Sequence, residues 1–159
     1  MRKQPTIERT PTTRAVTSPS GLLTVLSVSP LDEDHVSLQA IIGHSTWMIF
    51  QARDLASALA LLRQHEIAVV ICERDLLLET WIDVLEHLNA LPKAPSLIVT
   101  SRFADERLWA EALNLGAWDV LAKPFDRTEL IRSVKSGWQH WHDQTHLSAT
   151  AVKVMTVAS

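Results

Sequence analysis

The sequence predicts one α/β domain in which five parallel strands are covered by helices on both faces, a doubly wound sheet. Three observations carry this. Short β-branched runs alternate with stretches of helical periodicity, and the third and fourth runs are almost wholly apolar, as strands covered on both faces must be. The chain has 159 residues, 47% of them apolar. That suffices for one compact core and is short for two ordinary domains.

Strands are expected at Thr24 to Val28, Thr46 to Gln51, Ala68 to Glu73, Ser96 to Thr100 and Trp118 to Ala122. The helices between them follow from apolar spacing. Leu38, Ile41 and Ile42 mark one over Leu31 to Ile42; Leu55, Ala58, Leu59 and Leu62 mark Leu55 to Gln64. Leu78, Ile82, Leu85 and Leu88 mark a third, and Leu108, Ala112 and Leu115 a fourth from Asp105. A fifth runs from Asp126 to about Trp141, with Leu130, Val134, Trp138 and Trp141 inward. Asp54 and Asp126 stand where N-caps are wanted. Ser29-Pro30-Leu31-Asp32 reads as a capped helix start, with Asp32, Glu33 and Asp34 complementing its positive end.

Residues 1–20 are rich in Thr, Pro, Ser and Arg and are expected to be a disordered basic arm. The domain proper is placed at 21–143, and 144–159 as a weakly patterned tail in which Val152, Val154 and Val157 leave room for a short strand or a docking segment. The net charge is -3; the arm carries Arg2, Lys3, Arg9 and Arg14 against Glu8, leaving -6 for residues 21–159. Such a body lacks the basic face of a nucleic-acid binder. The single cysteine, Cys72, sits in an apolar run, so no internal disulfide is possible and a reducing, cytoplasmic location is expected. The apolar stretch after the arm is broken early by Ser27, Ser29 and Pro30, against a secretory signal, and no segment approaches a membrane span.

In an open parallel sheet, reactive groups collect beyond the carboxyl ends of the strands. Those positions hold Ser29 and Pro30, Glu73, Thr100 and Ser101, and Lys123-Pro124-Phe125. The series Val-Val-Ile-Cys-Glu73, Leu-Ile-Val-Thr100-Ser101, Leu113-Asn-Leu-Gly116-Ala117 and Asp119-Val-Leu-Ala-Lys123-Pro124-Phe125 resembles the receiver domain of two-component response regulators, over about residues 23–141. The resemblance implies a flavodoxin-like (βα)5 fold and a cis Lys123-Pro124 peptide. It also implies an acidic pair after the first strand and an Asp ending the third, which together hold Mg²⁺, that Asp accepting phosphate. Thr100 and Lys123 match residues that contact the phosphoryl group. Ser29 and Pro30 fall on the acidic pair, Glu73 on the phosphoacceptor and Val120 on the aromatic switch position.

Pro30 offers no side-chain ligand and Ser29 only a neutral hydroxyl, so Mg²⁺ binding is expected to be lost, no cofactor is expected and no catalytic residue is assigned. Phosphoryl transfer relies on cations that cancel developing charge, so efficient phosphorylation is not expected. The sequence therefore reads as a stand-alone pseudo-receiver that binds proteins and is not an enzyme. Its partner would be a histidine kinase, an output protein or a second copy, with no nucleic acid and no membrane. Glu73 can reach Lys123, either as a permanent phosphate surrogate or as a structural counterion. The alternative is a phosphorelay receiver still accepting phosphate on Glu73, on Asp75 or at a shifted acidic site among Asp32, Glu33 and Asp34. A nucleotide- or flavin-binding module is disfavoured by the absence of a Gly-rich loop. His140, His142 and His146 read as a wet helix end, Trp138 and Trp141 as core, and Trp81 as loop or rim packing. By the resemblance, Trp109 and Trp118 approach the face of the fourth helix, fifth strand and fifth helix, the expected partner surface, with ordinary packing as the alternative.

Overall fold

A computed structural model describes residues 22–158, with side chains described over 22–144. The arm expected over 1–20 lies outside the described residues. The elements are β1 (Thr24–Val28), α1 (Asp32–Ile42), β2 (Met48–Ala52), α2 (Leu55–Gln64), β3 (Val69–Glu73), α3 (Trp81–Asn89), β4 (Ser96–Ser101), α4 (Glu106–Leu115), β5 (Asp119–Ala122) and α5 (Arg127–Ala158). All strand pairs are parallel and the order is β2-β1-β3-β4-β5. The five-stranded, doubly wound architecture is the one the sequence predicts.

Period-two alternation divides the buried side chains between two layers. Leu26, Val28, Val70, Cys72, Leu97, Val99 and Val120 pack with α2, α3 and α4. Val25, Val69, Ile71, Ile98 and Leu121 pack with Leu38 and Ile42 of α1 and with Leu130, Val134 and Trp141 of α5. The strand order reverses between β1 and β3, so the chain end of β1, the chain end of β3 and the loop after β5 open onto one crevice.

Local chemistry sets the helix ends. Asp54 accepts from the Ser57 N–H and Asp126 from the Glu129 N–H, as their positions predict. Gly116 closes α4 with φ 109°, the left-handed conformation that favours glycine. Gly137 is needed for contact: a Cβ there would stand 3.2 Å from the Trp118 ring and 3.3 Å from Ser96, whose hydroxyl donates to the Gly137 carbonyl.

Five expectations need correction. Ser29 is not the cap of α1: its N–H still pairs with the Ala52 carbonyl as a last rung of the sheet, and the helix starts three residues later after Leu31. The third helix starts at Trp81 rather than Leu78, because Thr80 and Asp83 form a capping box there. Leu78 is consequently left 92% exposed, while Trp81 is buried against the core rather than on a rim. Leu115, expected inward, is exposed. The last helix does not end near Trp141, and the backbone of 144–158 is helical, not a strand.

Candidate functional site

β1, β3 and the β5–α5 connection bring Ser29, Glu73 and Lys123 together, and α1 adds Asp34. Ser29 is buried, and its hydroxyl donates to Asp34 Oδ2 at 2.6 Å. Lys123 Nζ stands 3.0 and 2.9 Å from the two Asp34 oxygens and 2.6 Å from Glu73 Oε1. All three charged side chains are nearly enclosed, at 9% exposure for Lys123, 7% for Asp34 and 12% for Glu73, so their attraction is little screened. Glu73 Oε1 is held by charge alone, with no well-directed hydrogen bond. The Lys123 backbone N–H donates to the Ser101 carbonyl, and the Lys123-Pro124 peptide is cis, as the resemblance implies.

The Lys123 ammonium is subject to opposed influences. Burial works to lower its pKa; the close carboxylates of Glu73 and Asp34 outweigh that and hold it above its ordinary value. Beside it, a second polar chain fixes the β1–α1 turn. The His35 ring is buried, with Nε2 2.9 Å from the Ser29 carbonyl and Nδ1 2.8 Å from the Ser27 hydroxyl. A carbonyl can only accept, so Nε2 carries a proton and His35 clamps the backbone that presents Ser29 to Asp34.

The three adjacent acids of α1 diverge. Asp32 pairs with Arg53, which also donates to the Pro30 carbonyl, and Glu33 pairs with Arg102 at 3.3 Å; both pairs are exposed. Asp34 alone turns inward. Asp75 is exposed and paired with Arg74 at 2.9 Å, and the Asp75–Thr80 bridge places it in the β3–α3 connection. Thr100 is buried opposite Glu73 in the β3–β4 register. Pro30 is half-buried. Val120 is buried in the core layer beneath α2–α4, a branched aliphatic where the resemblance implies an aromatic.

Of the two tryptophans assigned to a partner face, Trp109 is 51% exposed on α4. Trp118 is committed to α5: its ring stacks on His140 at 4.5 Å and its Nε1 donates to Ser136. His142 stacks on Trp138 at 5.0 Å, and the side chain of His146 lies outside the described residues. Trp141 is buried in the core and Trp138 packs against it, as expected. Cys72 is a buried free thiol whose pKa burial, and then the charge of Glu73, push far up. Sequence reasoning weighed Asp34 with its neighbours and did not single out His35. The signal was available: residues 34, 35, 38 and 42 share one face of α1, and these four are the buried ones.

Residues 32–135 match the response regulator receiver domain. The chain belongs to that family. Receiver domains are in general signalling rather than catalytic units. Over 124 residues the receiver is 27% identical to the transcriptional regulatory protein ZraR of Salmonella typhimurium, covering 76% of this chain and 27% of that protein. It is 26% identical over 108 residues to the regulatory protein VirG of Rhizobium radiobacter, covering 66% and 40%. The chain thus spans well under half the length of these curated relatives. Among solved structures it resembles the signal receiver domain of an HD domain-containing protein from Pseudomonas fluorescens Pf-5, with TM-score 0.72, 25% identity, and 79% and 93% of the two chains covered. The chemotaxis response regulator CheY4 of Vibrio cholerae shares the fold at TM-score 0.63 and 16% identity, with 76% and 98% covered.

The receiver family implies a Mg²⁺ ion, and the donors here do not suit one. Mg²⁺ seeks oxygens in near-octahedral array. In this receiver both buried carboxylates are taken by an ammonium and the remaining side-chain donor is a neutral hydroxyl. Among the described residues no three His, Cys, Asp or Glu side chains converge as a metal site requires, and no helix is long and apolar enough to cross a membrane.

Proposed function

We propose that this receiver serves two-component-type signalling as a pseudo-receiver, binding a protein partner without taking phosphate and without enzymatic activity. One observation carries the reading: the cation that would meet an incoming phosphoryl group is already held by two buried carboxylates, Asp34 and Glu73. Phosphoryl transfer needs cationic charge free to offset the charge that develops on the transferred oxygens. Here the corner carries one positive charge and two negative, so an approaching anion meets net repulsion. Glu73 supplies a standing carboxylate near the place a phosphoryl group would occupy, with about one charge in place of nearly two.

The partner, a histidine kinase, an output protein or a second copy, is met on the face of α4, β5 and α5, where Trp109 offers exposed aromatic surface. Trp118 supports that face from beneath. The buried free thiol of Cys72 suits a cytoplasmic setting. The test is incubation of the protein with acetyl phosphate and Mg²⁺, followed by intact mass. The expected spectrum is that of the unmodified chain. A stoichiometric phosphate adduct, on Glu73, Asp75 or the acids of α1, overturns the reading.

A further inference from the structure

We infer that the free edge of β2 is an interface for a second copy of this chain, the two sheets joining across a twofold axis by antiparallel β2–β2 pairing. β2 and β5 are the outer strands of the sheet, and they are finished differently. β5 has four residues, opens on Asp119 and is followed two residues past its end by Pro124, features that blunt an edge. β2 reads Met48-Ile-Phe-Gln-Ala52, with no charge and no proline to protect it. Its cover is also incomplete. Only Ala52 is buried in β2 and only Ala58 in α2, whereas α1 and α3 bury four residues each. Met48 is 47% exposed, and Ile49, Phe50, Leu55, Leu61 and Leu62 pack only in part against the core.

The backbone defines what fits this edge. At the ends of the β1–β2 ladder the Met48 N–H donates to the Leu23 carbonyl, and the Ala52 carbonyl accepts from the Ser29 N–H. Strand residues alternate in direction, so Ile49 and Gln51 turn their N–H and C=O groups outward, where no strand among the described residues meets them. A twofold axis at Phe50 sets Ile49 opposite Gln51 of the second copy and Gln51 opposite its Ile49, and each such pair exchanges both backbone bonds. The two Phe50 rings meet at the axis as an aromatic cross-strand pair, each stacked on its own His65 at 4.1 Å. Charge favours a copy over a charged ligand. A groove of about 990 Å³ lies beside this edge between α1 and the start of α2, and Val36, Gln39, Ala40, Gln51 and Ser57 line it without charge. Leu61, one turn beyond Ser57, shares that side of α2. The charged residues of the groove gather at one end, where Asp32 and Arg53 pair and Asp54 caps α2. A surface that meets its own image must keep like charges from the axis, and this one does.

This edge lies across the sheet from the α4, β5 and α5 face, and its pairing does not depend on whether the crevice takes phosphate. The test is sedimentation equilibrium, thermal unfolding and backbone hydrogen exchange on the full chain, with Q51P, Q51K and, as a control on the other face, W109A. Gln51 is exposed and its N–H points outward, so proline removes a donor from the edge and nothing from the β1–β2 ladder. Lysine places like charges beside the axis. The wild type is expected at twice the chain mass, with a Tm that climbs with protein concentration and slow exchange at the Ile49 and Gln51 amides. W109A should keep all three properties. Q51P and Q51K should sediment at the chain mass with a Tm independent of concentration, and Q51K should lose protection at both amides. A monomeric wild type, fast exchange at Ile49 and Gln51, or a dimer that survives both Gln51 substitutions or that W109A dissolves overturns the inference and leaves the proposed function standing. A phosphate adduct on a chain joined through β2 sinks the proposed function alone.

Discussion

Asp32, Glu33 and Asp34 are chemically alike, adjacent in sequence and members of the same helical turn, yet they belong to two regions that behave differently. The first two reach outward to Arg53 and Arg102, where both partners of each pair are more than half exposed. The third turns into the crevice, where it and Lys123 are below a tenth exposed. Solvent and salt screen the outer pairs and leave each of little consequence. At the inner corner the desolvation of every charge depends on the presence of the others. Position on the helix, rather than residue type, separates a solvated face from a structural and functional centre.

The largest expected effect comes from breaking the inner region. Lys123→Ala leaves Asp34 and Glu73 facing one another uncompensated and should lower stability by about 3–5 kcal/mol, read by urea unfolding. An unchanged midpoint would mean that water, not lysine, solvates the pair. Ser29→Ala removes a hydroxyl bond to a buried carboxylate and should cost about 1–3 kcal/mol by the same assay, with a smaller loss if a water fills the gap. Alkali sharpens the contrast. The Lys123 pKa is raised on folding, so its contribution is complete below the ordinary value of 10.5 and fades as pH climbs through the higher folded value. Stability should therefore fall more steeply above pH 10.5 in the wild type than in K123M; parallel curves would contradict this. The smallest effect belongs to the outer region: Arg102→Ala should move stability by under about 1 kcal/mol, and salt should erase the difference.

The strands were legible chiefly because β3 and β4 are almost wholly buried and write near-continuous apolar runs. Glu73 and Lys123 were legible as a pair because each ends or follows a strand at the crevice. The third helix was misplaced because the apolar step at Leu78 mimics its period, while the Thr80–Asp83 box sets the true start. Asp34 was harder to see. Three consecutive acids at a helix start look like dipole complementation, and only the inward phase set by Leu38 and Ile42 distinguishes the one that is buried. Trp118 was assigned to a partner face through the family resemblance, with ordinary packing as the alternative; its packing depends on Gly137 and His140, 19 and 22 residues away, which no local pattern reports.

The claim that Asp34, Lys123 and Glu73 act as one unit is tested most directly by a double-mutant cycle on unfolding free energy, pairing D34N with K123M and E73Q with K123M. Each cycle should return a coupling of about 2 kcal/mol, the signature of charges that compensate one another in a buried site. Additive losses in both cycles, with coupling near zero, would mean that the three side chains are neighbours without being partners.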